Sequence, residues 1–231
     1  MSRQSDVLII IPAYNEEDAI EQTVDHLREH VEYDYLIVDD GSKDRTAAII
    51  RERGYNGVRL PVNLGIGGAM QTGYRYAARH GYKYAIQLDA DGQHDARDID
   101  KLVREIRESG ADMVIGSRFV EKSSYKSSLP RRIGIYYFYM LIRILTGNRI
   151  FDPTSGYRIV NSKIIREFAT YYPVDYPEVE ILVSMARSKY RIKEISVEMK
   201  KRQGGVSSIN PVRSVYYMLK VTMFSIIRRS F

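Results

Sequence analysis

The sequence alternates short apolar runs with segments of helical periodicity, and this alternation limits the fold more than any other feature. The runs "DVLIIIPA", "YDYLIVDD", "GVRLPV" and "YKYAIQLDAD" are separated by stretches such as residues 17–30 and 46–53, whose apolar positions recur at helical spacing. A fifth run, "DMVIGSRF", follows the helix-like residues 98–108. Continuous apolar runs suit strands buried on both faces, and strands alternating with helices suit a parallel sheet covered by them. The expected class is therefore α/β, with a Rossmann-like, mostly parallel central sheet. Three of the runs end in polar and acidic residues: Tyr14, Asn15 and Glu16; Asp39 and Asp40; Asp89 and Asp91. Ligands of open α/β sheets bind beyond the carboxyl ends of strands, so these clusters are expected to line one crevice.

At 231 residues, with 44% hydrophobic, the chain is long enough for one large domain or a domain with a short appendage. It has no cysteine, which excludes a disulfide framework and thiolate metal sites and favours a reducing compartment. The first apolar run is too short for a targeting segment and ends at Pro12, Asn15 and two glutamates, so it reads as a first strand. A formal charge of +6 and a pI near 9.3 suggest an anionic partner: nucleic acid, an acidic lipid surface or a phosphorylated substrate. The charge belongs to the second half. Residues 118–149 carry seven Lys/Arg against one Glu, and seven more follow Glu198 with no acid.

In that half "KSSYKSSLPRR" has loop composition, "SGYRIV" and "YRIKEISVEM" suit strands, and residues 178–189 suit a helix. Residues 133–145 ("IGIYYFYMLIRIL") and 212–231 ("VRSVYYMLKVTMFSIIRRSF") are apolar and tyrosine-rich, yet shorter than the roughly 20 apolar residues of a spanning helix and interrupted by Arg or Lys. Both suit helices lying in a membrane interface, with packing on the domain or on another protein as the alternative.

"LDADGQHD" places Asp89 and Asp91 just past a buried strand, where alternate residues share a face. Such a pair suits a hard divalent cation with places left for phosphate oxygens and water. In "IIPAYNEEDAI", Pro12 ends strand pairing and Glu16 and Glu17 suit a first helical turn; ordinary capping also accounts for Asn15 and Glu17. In "IVDDGSKDRT" two carboxylates meet a Gly turn, Asp44 suits a helix cap, and an acid at a strand end suits ribose hydroxyls or a base edge. "NLGIGGAMQTGY" is not a dinucleotide fingerprint, because it follows the third strand and its glycine spacing is wrong; close backbone approach or helix packing explains it.

Taken in order, "IPAYNEE", "VDDGSKDRT", "NLGIGGA", "LDADGQHD", "GSRF", "DPTSGYR" and "RQGGVSS" resemble the family-two inverting glycosyltransferases of GT-A fold, from Val7 to about Ser208. The chain looks most like the dolichyl- and polyprenyl-phosphate sugar synthases. The resemblance implies a UDP- or GDP-sugar donor, with Pro12, Ala13, Tyr14, Glu16, Asp39 and Asp40 as the nucleoside pocket. It implies Mg2+ or Mn2+ at Asp89, Asp91 and Gln93, with His94 either bonding a phosphate or finishing the turn. Arg118, Arg131, Arg132, Ser155 and Arg158 are similar to residues at an acceptor phosphate, where guanidinium forks suit the anion. Asp152 resembles an acid near the acceptor, supported by Arg158. Arg202, Gly204, Gly205 and Ser207 would form a loop over the donor. The catalytic set so implied is Asp89, Asp91, Asp152, Arg118 and Arg202, in a catalytic domain of residues 1–210 followed by a basic amphipathic helix, 211–231.

The sequence departs from the family pattern at Ile66, where a lysine is frequent, and at Ala96, where a proline is frequent, so no donor contact is carried onto either. Residues 175–205 look like the small bacterial members associated with cell-wall polysaccharide, which favours UDP. The expected reaction moves a sugar, GlcNAc or glucose, to undecaprenyl or another polyprenyl phosphate, at the cytoplasmic face of the membrane, with a small membrane protein as possible partner. A saccharide hydroxyl as acceptor is the alternative and needs a base such as Asp152 or Glu178. A non-catalytic nucleotide-sugar-binding subunit ranks lower. Nucleic acid is not expected as a partner, because acids fall where a phosphate backbone would need cations.

Overall fold

A computed structural model describes residues 5–120, 129–174, 177–199 and 218–223; Arg202, Gly204, Gly205 and Ser207 lie outside the described residues, as does the side chain of Arg131. Seven strands form one sheet in the order β3-β2-β1-β4-β6-β5-β7. They are β1 (Val7–Ala13), β2 (Asp34–Asp39), β3 (Gly57–Arg59), β4 (Tyr84–Gln87), β5 (Met113–Ser117), β6 (Arg158–Asn161) and β7 (Ile192–Ser196). Between them run α1 (Ile20–His30), α2 (Thr46–Glu52), α3 (Gly65–Arg79), α4 (Ile99–Ser109), α5 (Leu129–Thr146), α6 (Ser162–Thr170) and α7 (Pro177–Arg187).

All pairings are parallel except those of β6, which runs antiparallel to both neighbours, β4 and β5. Six strands therefore end at one edge of the sheet, and the reversed β6 begins there. That edge gathers the residues after β1, β2, β4, β5 and β7 together with the loop preceding β6.

The layering follows from β1, all seven residues of which are buried. Its even positions, Leu8 and Ile10, join Met70 and Tyr74 of α3, Phe168 of α6, and Phe138 and Ile142 of α5. Its odd positions, Val7, Ile9 and Ile11, join Val24 and Leu27 of α1 and Leu102 and Ile106 of α4. Each such side chain contributes about 1.5–3 kcal/mol on burial, and covering both faces is what the unbroken apolar runs require.

Some expected boundaries shift for local reasons. The first helix starts at Ile20 rather than residue 17, because Glu16 O takes the N–H groups of Ala19 (3.1 Å) and Ile20 (2.9 Å) and closes a turn first. The run "GVRLPV" yields only three strand residues, all exposed, since Pro61 has no N–H with which to extend an edge strand. Helix α5 is longer than the apolar stretch: Pro130 stands in its first turn, where its missing N–H costs nothing, and Gly147 follows it at φ 77°. Ile135, Phe138 and Ile142 of α5 face the core, while Ile133, Tyr136, Tyr137 and Ile144 are exposed. Residues 218–223 are helical and pack on α5, with Val221 buried and the Thr222 hydroxyl 2.7 Å from that of Tyr137. No helix among the described residues is long and apolar enough to cross a membrane.

Candidate active site

The strand order reverses between β1 and β4: the chain moves from β1 outward to β3, then returns to the other side of β1 as β4. This is the switch point where an open α/β sheet leaves a crevice. Pro12 and Ala13 end β1 buried, and Tyr14 beyond them is exposed. The following turn is held by residues just after β2. Asn15 N–H donates to Ser42 Oγ (3.0 Å), Glu16 N–H to Thr46 Oγ1 (2.9 Å) and Glu17 N–H to Asp44 Oδ2 (3.1 Å). Asn15 takes φ 55°, a left-handed conformation that asparagine tolerates, and its side-chain oxygen accepts from Lys43 N–H at 2.8 Å.

Asp39 pairs in register with Ala13 and is buried; Oδ1 accepts from Ser42 N–H (3.0 Å) and Oδ2 lies 3.3 Å from Arg59 Nε. Asp40, also buried, accepts from Leu64 N–H at 2.7 Å at the start of α3. Burial raises its carboxyl above the usual range, against the pull of the Leu64 and Gly65 N–H groups. The glycines of "NLGIGGA" serve close approach, as expected: a Cβ on Gly67 would lie 2.0 Å from Pro173 O, and Gly67 N–H donates to Val174 O at 3.2 Å.

Beyond β4, Asp89 accepts from Gln87 Nε2 at 3.0 Å, and Asp91 accepts from Gln93 N–H at 3.0 Å, which closes the turn. The backbone N–H of Asp89 donates to His94 Nδ1 (3.0 Å), so the imidazole lies within the loop and finishes the turn. His94 stacks on Tyr157 (4.5 Å, 10°), and the Tyr157 hydroxyl donates to Asp95 O at 2.9 Å. An antiparallel bridge joins His94 to Met199, past the end of β7. Gly156 approaches closely from the other side: a Cβ there would lie 3.2 Å from Asp89 Oδ2. The donor set of two carboxylates at the crevice suits a small hard cation, which binds through one or two carboxylates while keeping water and substrate phosphate oxygens.

Ahead of β6, the residues expected at the acceptor phosphate are bonded to one another and to the backbone. Arg118 and Asp152 are buried, at 3% and 0% exposure, and face one another: Nε and Nη2 donate to the carboxylate at 2.7 and 2.6 Å, and Arg118 N–H donates to it at 3.0 Å. Arg158, expected to pair with Asp152, instead donates to the carbonyls of Ser155 (2.6 Å), Glu178 (2.9 Å) and Pro153 (3.0 Å). The Ser155 hydroxyl donates to Gly116 O at 2.7 Å. The described side-chain bonds of Arg118, Ser155 and Arg158 thus go to protein acceptors around this loop. Arg132, near the start of α5, is exposed.

Three residues near the site were not singled out from the sequence for the parts they take. Ser42 and Thr46 lock the turn after β1, in a motif where only acids and glycine drew notice. Glu194 in β7 accepts from Phe151 N–H (2.7 Å) and Asp152 N–H (2.8 Å), and burial raises its carboxyl; an acid inside "YRIKEISVEM" was its only sequence signal. Glu178, at the start of α7, has its carboxyl raised by burial, with Arg158 pulling it down and Asp89 pushing it up. Already named from the sequence as a candidate base, it is, among the described residues, a carboxylate with both a raised proton affinity and an electrostatic push from Asp89.

The fold recurs in known proteins. Solved structures of glucosyl-3-phosphoglycerate synthase from Mycobacterium tuberculosis, one in complex with Mn2+, UDP and glucosyl-3-phosphoglycerate, share the fold: TM-score 0.73, covering 98% of this chain and 80% of that one at 18% identity. Among curated proteins, the undecaprenyl-phosphate mannosyltransferase of Micrococcus luteus is 32% identical over 88% of this chain and 87% of its own length. The UDP-N-acetylglucosamine–dolichyl-phosphate N-acetylglucosaminyltransferase of Methanococcus voltae is 30% identical over 83% of this chain and 84% of its own. The profile of Glycosyl transferase family 2 matches residues 8–169, more than half the chain, and the chain belongs to that family of glycosyltransferases.

Proposed function

We propose that this glycosyltransferase moves a sugar, GlcNAc or glucose, from a UDP-sugar to a polyprenyl phosphate, with inversion. The observation that carries the reading is the convergence of three acidic strand ends on one crevice in a chain that aligns, over more than four-fifths of its length, with enzymes named for polyprenyl-phosphate acceptors. In this reading the turn after β1, with Pro12, Ala13, Tyr14 and Glu16, and the acids Asp39 and Asp40 hold the nucleoside. Asp89, Asp91 and Gln93 hold Mg2+ or Mn2+, which when bound neutralises charge on the departing diphosphate. An acceptor phosphate is already anionic at neutral pH, so it needs alignment more than deprotonation. Arg132, with Arg131, supplies a cation for it at the head of α5, and Arg202, Gly204, Gly205 and Ser207 act on the donor. The Arg118–Asp152 pair positions the loop before β6.

The exposed Ile133, Tyr136, Tyr137 and Ile144 lie along the side of α5 opposite its buried residues, with Arg132 and Arg143 exposed beside them. Such a face suits the interface of an anionic membrane. We assign the catalytic domain to residues 1–210 and a basic amphipathic helix to 211–231, peripheral at the cytoplasmic face of the membrane and open to a small membrane partner. Cell-wall or surface polysaccharide is the process this fits.

The raised carboxyl of Glu178 favours a second reading, in which it deprotonates a saccharide hydroxyl. A screen of UDP- and GDP-sugars with purified protein, Mn2+ or Mg2+ and undecaprenyl phosphate in detergent separates the two by the radiolabelled lipid formed. One donor giving labelled lipid, with Asp91→Ala inactive, is the expected result. A Glu178→Gln variant that loses an acid limb of the pH–rate profile on saccharide acceptors, with no lipid product from any donor, would favour the second reading. Normal turnover by Asp91→Ala would remove the metal assignment.

A further inference from the structure

We propose that His26, Glu29 and His30 of α1 form a second metal site, for a borderline divalent ion of the zinc class, separate from the carboxylate pair beyond β4. Positions i, i+3 and i+4 share one side of a helix, and one ligand atom from each of the three lies within 4.8 Å of the others. Burial of Ile20, Val24 and Leu27 fixes the rotation of α1, leaving His26 half-buried and Glu29 and His30 exposed.

The hydrogen bonds around the two imidazoles fix how each ring stands. His26 Nε2 lies 3.1 Å from Asp95 Oδ1, and a carboxylate accepts, so Nε2 carries the proton. Asp95 is 1% exposed and is itself fixed by Arg97, whose N–H and Nε donate to it at 3.1 and 3.0 Å. His30 Nδ1 lies 2.8 Å from the carbonyl of His26, which also accepts, leaving the lone pair at Nε2. A ligating histidine characteristically donates its other ring N–H to a carboxylate or a backbone carbonyl, which fixes tautomer and orientation. Here one ring does each. His80 makes the same carbonyl contact with Tyr76 but belongs to no such trio, so that contact alone is not the signal.

Two imidazoles and one carboxylate suit Zn2+ or its neighbours Co2+ and Ni2+, while the oxygen-only pair Asp89 and Asp91 suits Mg2+ or Mn2+. Three protein ligands leave a fourth position, and a groove lined by Arg28, Glu29, His30, Tyr33 and Asp100 lies beside it. The site also meets the loop of the first one. Asp95, which orients His26, closes the segment that begins at Asp89, and its carbonyl accepts from the Tyr157 hydroxyl beneath His94. An ion here would brace α1 against that segment.

The test is Zn2+ competition against a chromophoric chelator, together with the visible spectrum of bound Co2+, on the full chain in excess Mg2+ to fill the carboxylate pair. One equivalent should bind, about tenfold or more weakly in the solvent-exposed variants Glu29→Gln and His30→Ala, and unchanged in His80→Ala and Asp91→Asn. Failure of the unaltered chain to bind, wild-type affinity in the Glu29→Gln/His30→Ala double variant, or loss of binding in Asp91→Asn would each overturn the assignment.

Discussion

Arg118 and Asp152 show what a buried ion pair asks of single residues. Removing one partner leaves an uncompensated charge at about zero exposure, and such losses cost about 3–5 kcal/mol, while replacing both by apolar groups of similar volume is often near neutral. Asp152→Ala should therefore lower the unfolding free energy by about that amount in a denaturant titration, and Arg118→Met/Asp152→Leu should recover most of it. If Asp152→Ala kept full stability and lost only turnover, Asp152 would act on substrate instead. Both residues stood out in the sequence as chemically capable, but their pairing did not. It joins positions 34 apart and depends on β6 running back beside β5, which no local pattern announces. By contrast the Asp89 and Asp91 turn was legible, because an acid pair straight after an apolar run is a local signal.

At the scale of elements, the apolar runs and helical stretches were readable because each buries a face whose period is written along the chain. β3 misled: its run looked like a buried strand, but at the sheet edge its residues face solvent, and edge position is a property of the whole order. The glycines heading α3 were understood in kind, as close approach, though not in partner. Gly67→Ala sets a Cβ against the backbone at Pro173 and Val174, which has no side-chain torsion to relieve it. It should destabilise by about 1–3 kcal/mol, read as a fall in midpoint by calorimetry. Gly54→Ala is the control for adding a methyl group without a clash, since nothing lies within 4 Å of a Cβ there, although its φ of 62° adds backbone strain.

Across the whole molecule, positive charge and outward apolar side chains gather in the second half of the sequence, and α5 bears part of both. If that face meets a membrane, Tyr136→Ser/Ile144→Ser should cut binding to anionic vesicles by about tenfold or more, since each buried apolar side chain is worth about 1.5–3 kcal/mol, with the melting temperature unchanged. Equal binding by the variant in vesicle sedimentation would remove α5 from the contact. The charge asymmetry was visible in composition; the role of residues 218–223 as a cover for α5 was not, because it depends on a tertiary contact at Tyr137. The reversed strand has a mechanical meaning. β6, four residues long, is the sole strand between the half of the sheet that carries Asp39, Asp89 and Asp91 and the half that carries Arg118 and Glu194. Any shear of one half against the other must break one of its two antiparallel ladders, so the spacing across the crevice is governed by ladders of only four and three residue pairs.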